Sequence, residues 1–186
     1  MQKEKERISE GERFISDYFK NENLNFEREK RIFNLKGDSK SYRDVDFFLK
    51  DYGIYVEFYG RWNHSKAERE RYREKKKAYS LNKIPCIYLY PENLGIIDFC
   101  FSKRMVETLE KHGMKKELFK YRLKRLLLDR GGLFFWILLS TLILLFGNSK
   151  HENNDLNILF FGIIIYQLYR LYDGYKKFFK STKYYV

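Results

Sequence analysis

Two carboxylates fall on neighbouring predicted strands in the stretch RDVDFFLKDYGIYVEFYG, residues 43–60. Its Val, Ile, Phe and Tyr residues on either side of a glycine predict two short strands joined by a turn. If residues 51–52 form that turn, Asp46 lies directly opposite Glu57. Asp44 points to the same strand face as Asp46 and is an alternative partner for Glu57.

Adjacent carboxylates on one sheet face repel each other unless one is protonated or a cation lies between them. Oxygen ligands of this kind favour Mg²⁺ or Mn²⁺ over zinc. We therefore expect Asp46 and Glu57 to bind one such ion, which can activate water and stabilise charge on a phosphoryl group. The chain has no CxxC motif, and Cys86 and Cys100 lie in apolar runs. Two buried thiols in a reducing compartment, and no zinc site, are expected.

The order of these acids resembles the core of the PD-(D/E)XK nucleases, which have the restriction-endonuclease-like fold. The matching residues are Asp46 in VDFFL and Glu57 in VEFYG, and the predicted order of elements over residues 9–101 is similar to the family core. The resemblance implies a metal-dependent nuclease and favours Asp46 over Asp44 as the metal ligand. It also implies that Glu12, in a segment that looks like the family's first helix, supplies a further acid.

The chain departs from the family pattern at the lysine of Glu-x-Lys, where it has Tyr59. A tyrosine, with an ordinary pKa of about 10, cannot supply a permanent cation. Some lineages of the family have this lysine on the following helix, which here reads YREKKKAYSLN. Lys75 lies in the middle of that helix's least polar face, so it is preferred over Lys76 as the group that positions water and stabilises charge. The alternative is that the three lysines form a solvated face.

Some of the candidate residues also have a purely structural interpretation. Ser9 and Glu12 have the spacing of a capping box, which accounts for Glu12 as well as catalytic support does. Trp62 borders the expected site and is expected to pack within the domain rather than to stack on a base. His64 is also close to the site, but a metal-bound water does not need it as a general base.

The segments around these residues predict a mixed α/β domain that would position them. Helical and alternating apolar patterns succeed each other, with turn residues between them. The predicted order is helix, three strands, helix, two strands and helix, over residues 8–21, 26–33, 42–49, 54–59, 64–82, 84–90, 95–101 and 102–113.

Two apolar runs, 133–147 and 156–169, predict a helical hairpin around the polar loop 148–155. Each run alone spans about 22 Å of a hydrocarbon core of about 30 Å, and apolar flanking residues extend it. Residues 111–130 hold eight Lys and Arg against two acids, and residues 173–186 hold four Lys against one Asp. The loop holds one Lys against two acids. This asymmetry predicts two membrane spans with both termini in the cytoplasm.

The sequence therefore predicts four regions: a nuclease-like domain, a basic juxtamembrane helix, a two-helix transmembrane hairpin and a basic cytoplasmic tail, at residues 1–106, 107–130, 131–172 and 173–186. The net charge of +12 favours a polyanionic partner, either nucleic acid or anionic lipid. The first 13 residues contain no apolar segment of the kind found in secretory signals.

These features together predict a membrane-tethered nuclease that uses Mg²⁺ or Mn²⁺ to hydrolyse phosphodiester bonds of DNA. One alternative is a nucleic-acid-binding module on the same fold without catalysis, which Tyr59 favours. Another is a membrane scaffold that binds lipid or protein through its basic segment. Nothing in the sequence fixes an oligomeric state.

Overall fold

The computed structural model describes residues 9–146 and 154–180. Within those residues the chain divides into two compact units, the first ending at Glu117 and the second beginning at Leu118. The elements in chain order are α1 (Glu10–Asn21), β1 (Phe26–Phe33), β2 (Tyr42–Leu49), β3 (Ile54–Phe58), α2 (Lys66–Leu81), β4 (Cys86–Leu89), a 3₁₀ segment (Pro91–Ile96), α3 (Ile97–Lys111), α4 (Lys115–Phe146), α5 (Asn154–Tyr175) and a π-helical turn (Lys176–Lys180).

The four strands form one mixed sheet whose spatial order follows the chain. The β1–β2 and β2–β3 pairs are antiparallel, and α2 crosses over to bring β4 parallel to β3. Phe47 pairs with Val56 and Leu49 with Ile54, which is the register that the sequence predicts. Gly53 ends the intervening turn with a φ of 63°, a left-handed conformation that glycine adopts without steric cost.

Helices cover both faces of the sheet, so the first unit is a three-layer α/β structure. On one face, the ring of Phe19 in α1 lies 5.4 Å from that of Phe47 and 5.2 Å from that of Phe101 in α3. On the other face, Tyr79 of α2 packs in a buried cluster with Val45 of β2. The mixed α/β class is therefore confirmed.

The segment 95–101, which the sequence predicts to be a strand, is helical, so that prediction is wrong. It contains the end of the 3₁₀ segment and the first turns of α3. Buried apolar residues recur every four positions along α3, and they are Ile97, Phe101, Met105 and Leu109. The helical period of this longer stretch overrides the short apolar run at its start. The Tyr18 hydroxyl also donates a 2.9 Å hydrogen bond to Asp98 in the first turn of α3.

In the second unit, α4 is the one described helix that is long and apolar enough to cross a membrane. It has 32 residues, and its most apolar window has a mean hydropathy of 1.7 with 17% of that window buried. At 1.5 Å per residue the helix is about 48 Å long, which exceeds a hydrocarbon core of about 30 Å. One membrane span is thus supported by length and composition. The expected second span, 156–169, lies in α5, which is not among the described helices that are long and apolar enough to cross a membrane.

The amino-terminal half of α4 lies beside the end of α5, so the two helices are antiparallel. The rings of Phe119 and Phe179 are 5.7 Å apart, and Arg130 lies 3.7 Å from the carboxylate of Asp173. The turn predicted at 148–155 falls almost wholly outside the described residues. The predicted juxtamembrane segment, 107–130, includes the end of α3 and the first half of α4.

Candidate active site

An open cleft of about 1240 Å³ contains the predicted site residues. Its walls come from the start of α1, the loop before β2, the end of β3 and one flank of α2. We call it the first cleft. Of its lining residues, those with ionisable groups at or near the predicted site are Glu12, Asp44, Asp46, Glu57 and Lys75.

Asp46 lies between two residues of β2 whose side chains point to opposite faces of the sheet. Val45 packs under α2, whereas Phe47 contacts α1 on the other side of the sheet. Glu29, which the register places opposite Asp46, has a φ of 54°, so the neighbouring strand is distorted at the same level. The Asp46 carboxylate accepts a 2.6 Å hydrogen bond from the backbone N–H of Phe58, which fixes it beside the end of β3.

Glu57 is almost completely buried, with 1% of its surface exposed, and its carboxylate has two partners. The Lys75 ammonium lies 2.7 Å from each of its two oxygens. The Tyr79 hydroxyl donates a 2.9 Å hydrogen bond to Oε1. A buried carboxylate is stable only when it is paired in this way, so α2 supplies the groups that keep Glu57 in place.

The environment raises the pKa of both acids above their ordinary values. Burial raises the pKa of Asp46 to about 6, and the charge of Glu12 adds to the effect against the opposing hydrogen bond from Phe58. Burial and the neighbouring Asp46 charge raise the pKa of Glu57 to about 8, even with Lys75 beside it. Two carboxylates that are this costly to ionise together favour binding of a cation between them.

Of the three consecutive lysines on α2, only Lys75 reaches Glu57. Besides the carboxylate, its ammonium contacts the backbone carbonyl of Asp44 at 2.7 Å, and its side chain is only 16% exposed. Lys76 points to the other flank of α2, where its ammonium lies 5.0 Å from the centre of the Tyr88 ring. The structure thus places Lys75, and not Lys76, beside Glu57, as the sequence predicts. Lys77 is exposed.

Tyr59, which has the place of the family's usual lysine, is a packing residue. It is fully buried and stacks on Tyr72 with ring centres 4.1 Å apart. Its hydroxyl donates a 3.3 Å hydrogen bond to the backbone carbonyl of Tyr72 and points away from water. The Trp62 ring stacks against the same pair, 6.1 Å from the Tyr59 ring and 6.3 Å from the Tyr72 ring, which agrees with the predicted packing role.

Glu12 forms the capping box that its spacing predicts. It accepts a 3.1 Å hydrogen bond from the backbone N–H of Ser9, and the Ser9 hydroxyl accepts one of 3.3 Å from the backbone N–H of Glu12. Its carboxylate also lies 3.9 Å from Arg28 and lines the first cleft. The neighbouring Gly11 has a Cβ direction that points into the Phe58 ring, 2.2 Å from the nearest carbon, so only glycine lets α1 approach β3 this closely.

Asp44 is placed differently from Asp46. Its carboxylate accepts a 3.0 Å hydrogen bond from Arg31 on β1 and is about half exposed. Arg61 lines the first cleft and is mostly exposed, while the lining of that cleft does not include His64. Asp46 and Glu57 are thus the pair that the fold brings together with Lys75.

Tyr79 is the residue that sequence reasoning missed. It lies one turn after Lys75 on α2, so both side chains reach Glu57 from the same helix face. The signal was an aromatic residue with a hydroxyl four positions after the lysine. A buried hydroxyl of this kind needs an acceptor, and here the acceptor is the buried acid.

Among the described residues of the first cleft, the carboxylates of Asp46 and Glu57 are the candidate oxygen donors for a divalent ion. No cluster of three or more His, Cys, Asp or Glu residues arranged to hold a metal occurs in the described part of the chain. Magnesium is nevertheless often bound by one or two carboxylates together with water and substrate phosphate oxygens. The repelling pair Asp46 and Glu57 fits that mode of binding in donor type and in number.

Comparison of the chain with protein-family models, with curated proteins and with solved structures gave no match. The functional assignment therefore depends on the arrangement of Asp46, Glu57, Lys75 and Tyr79. A buried acid, a partly buried acid, a fixed ammonium and an open cleft form a constellation suited to a reaction in which negative charge develops.

Proposed function

We propose that the protein is a membrane-tethered, metal-dependent nuclease with a restriction-endonuclease-like first unit, and that it hydrolyses phosphodiester bonds of DNA. The observation that carries the proposal is the contact of Lys75 with Glu57 beside Asp46 at the base of the first cleft. This is the arrangement that a lysine relocated to α2 would need, since Tyr59 is buried in packing.

In this proposal Asp46 and Glu57 would hold one Mg²⁺ or Mn²⁺ ion, and the ion would supply Lewis-acid activation of water and of a phosphoryl oxygen. Burial of Glu57 under α2 excludes water from one side of the site. The backbone N–H of Phe58 fixes the rotamer of Asp46. Tyr79 holds Glu57 from behind, so that its carboxylate stays directed towards the cleft.

Lys75 supplies the positive charge that stabilises negative charge developing on the phosphate. Its ammonium is held by Glu57 and by the Asp44 carbonyl, so it needs no reorganisation when charge develops on a phosphate. It donates a hydrogen bond to a non-bridging oxygen or to the attacking water. Glu12 supports the site from α1 by its charge and by fixing the start of that helix.

The net charge and the membrane helix support the remaining parts of the proposal. A net charge of +12 favours a polyanionic substrate, and Lys40 and Arg61 line the first cleft with exposed side chains. The apolar length of α4 supports one membrane span. We propose that α5 forms the second, antiparallel span, so that both termini and the first unit are cytoplasmic.

A binding module without catalysis is the second candidate. It is favoured by Tyr59 at the usual lysine position and by the absence, among the described residues, of a group of three or more side chains arranged to hold a metal. The two candidates differ in whether bound DNA is cut.

The experiment uses the full chain in a neutral detergent with linear duplex, circular and single-stranded DNA and with RNA. Cleavage in Mg²⁺ or Mn²⁺ that EDTA abolishes supports the nuclease. DNA binding without cleavage in either metal would transfer the assignment to the binding module.

A further inference from the structure

A second cleft of about 720 Å³ lies on the opposite flank of α2 from the first. Its walls are the end of α2, strand β4 and one side of α3. This volume is in the range of small-molecule sites in proteins. The cleft shares none of its lining residues with the first cleft, although Lys75 and Lys76 are adjacent in the chain.

The second cleft carries an excess of positive charge. Among the described residues, four basic side chains line it against one acid, Glu107, and the basic residues are Lys76, Lys83, Arg104 and Lys111. None of the three lysines has an acidic partner within 4.0 Å among the residues that the structure describes. Uncompensated cations in a concave site focus the electrostatic potential and attract anions.

Arg104 differs from the lysines because it is fixed in the wall. Its guanidinium donates to the backbone carbonyl of Tyr88 and, at 2.7 Å, to the side-chain carbonyl of Asn93. It also lies over the Tyr90 ring, 5.6 Å from the ring centre. A preorganised guanidinium at the wall of a cleft is suited to a phosphate oxygen.

His112 responds to the same surplus of positive charge. It follows α3 at the edge of the cleft, and burial together with the neighbouring Lys111 charge lowers its pKa. The lowered pKa favours the neutral imidazole, which can accept or donate a hydrogen bond.

The cleft also offers aromatic and apolar surface. Tyr88 and Tyr90 line it and are each partly exposed, and the partly exposed Ile84 supplies apolar surface. Aromatic side chains of this kind stack on nucleobases, and lysine and arginine bind the attached phosphates. The combination matches a nucleotide better than it matches a simple inorganic anion.

We propose that the second cleft is a binding site for a nucleotide unit, with its phosphate held by Lys83, Lys111 and Arg104 and its base placed against the tyrosines. The nucleotide is either a free mononucleotide or one residue of a nucleic-acid strand, because the chemistry of recognition is the same. The site goes beyond the proposed cleavage reaction and does not depend on it.

The site is close enough to influence the first cleft. Tyr88, in its wall, is the register partner of Glu57 on the neighbouring parallel strand. Lys76 lies over the Tyr88 ring, and the adjacent Lys75 contacts Glu57. A ligand in the second cleft therefore contacts α2, which carries the two partners of Glu57, and β4, the strand paired with that of Glu57.

The test measures binding in EDTA, so that no divalent ion bound by the acids contributes. A fluorescein-labelled single-stranded 12-mer and unlabelled AMP are each titrated against the full chain in a neutral detergent. The variant is Lys83→Ala/Lys111→Ala. The matched control is Lys20→Ala/Lys50→Ala, which removes the same charge from exposed positions outside both clefts.

We expect the Lys83→Ala/Lys111→Ala variant to bind at least one of the two probes roughly tenfold more weakly at low salt. If the 12-mer is the ligand, the slope of log affinity against log salt falls by about 1.4, since each phosphate contact to a single strand contributes about 0.7. The control should change affinity less than about twofold. Loss of AMP binding identifies a free nucleotide, and loss of 12-mer binding alone identifies a strand.

Equal losses of affinity in the variant and in the control would show that the probes bind through general surface charge and not in the second cleft, and would overturn the proposal. Unchanged binding of both probes in the variant, or no binding of either by the parent, would also overturn it. Circular dichroism of each variant confirms folding, and Lys83→Glu serves as a second variant with a larger expected loss. Because cleavage is not measured, failure of this proposal is separable from failure of the nuclease assignment.

Discussion

The Lys75 ammonium lies 2.7 Å from each carboxylate oxygen of Glu57, although the two residues are 18 positions apart and belong to different elements. The contact joins α2 to β3 at the base of the first cleft. Both side chains are largely shielded from water, since Glu57 is buried and Lys75 is nearly so. The contact is therefore a fixed part of the folded structure and not a pairing of mobile surface groups. The contact brings a permanent cation to the site that Tyr59 does not supply.

The first prediction concerns metal binding. Mn²⁺ should raise the melting temperature of the full chain in detergent, because an ion held by Asp46 and Glu57 binds the folded state alone. Asp46→Asn should lose most of this shift, while Asp44→Asn should keep it, since Asp44 is paired with Arg31. An equal shift in the parent and in Asp46→Asn would place the ion elsewhere.

The second prediction concerns stability and pH without metal. The pKa of Asp46 is raised in the folded state from 3.8 to about 6, so the folded protein holds this proton more tightly than the unfolded chain does. Stability therefore falls as pH rises from about 4 to 6 and stays lower above that. Asp46→Asn removes the cost and should raise the free energy of unfolding at pH 8 by up to about 3 kcal/mol.

The control for this second experiment is the same pair of proteins at pH 4. Asp46 is protonated there in the folded state, so the gain from Asp46→Asn should largely disappear. Denaturant titrations of the full chain in EDTA at both pH values measure it. An Asp46→Asn protein that is less stable than the parent at pH 8 would show that the carboxylate stabilises the fold.

The third prediction concerns the loop between β1 and β2, which forms one wall of the first cleft. Asp38 and Arg43 make a bidentate ion pair with hydrogen bonds of 2.6 and 2.7 Å, and both side chains are buried. Removing one partner from a buried pair costs roughly 3–5 kcal/mol. Asp38→Asn should therefore destabilise the first unit and weaken substrate binding through the neighbouring Lys40.

The pH dependence of this third effect has the opposite sign to that of Asp46. The hydrogen bonds from Arg43 lower the pKa of Asp38 below 3.8, so its contribution is complete above that pH and is lost as pH falls through the lowered pKa. The difference between parent and Asp38→Asn should thus be constant from pH 5 to 8 and shrink in strong acid. A difference that grows towards acid pH would contradict this assignment.

The sequence predicts the acids and the lysine for reasons that are local. Turn geometry fixes the register that sets Asp46 opposite Glu57, and helical spacing selects Lys75. The segment 95–101 is wrongly assigned to a strand, because a seven-residue segment with five apolar residues fits a strand as well as a helix and only the packing of α3 decides between them. Tyr79 was missed because its contact with Glu57 depends on how α2 lies on the sheet, which no periodic pattern encodes.

The fourth prediction concerns membrane topology. A cysteine introduced at Ser149, in the predicted outer loop, should react in intact cells with a maleimide that cannot cross membranes. A cysteine at Ser181, in the predicted cytoplasmic tail, should react only after permeabilisation, because the basic flanks stay inside. The native Cys86 and Cys100 are expected on the cytoplasmic side and provide the background. Labelling of both introduced cysteines in intact cells would be incompatible with two spans.

The last prediction decides between the nuclease and the binding module. Lys75→Ala should lower metal-dependent cleavage by about 10²–10³, the typical cost of losing one group that stabilises developing negative charge. Binding of DNA should change little, since one of many cations is removed. The matched control is Lys77→Ala, an exposed lysine two positions along the same helix that lines neither cleft. It removes the same charge and should cleave like the parent. Cleavage by Lys75→Ala at the parent's rate would falsify the relocated-lysine assignment, because the cation nearest to Glu57 would then contribute nothing to the reaction.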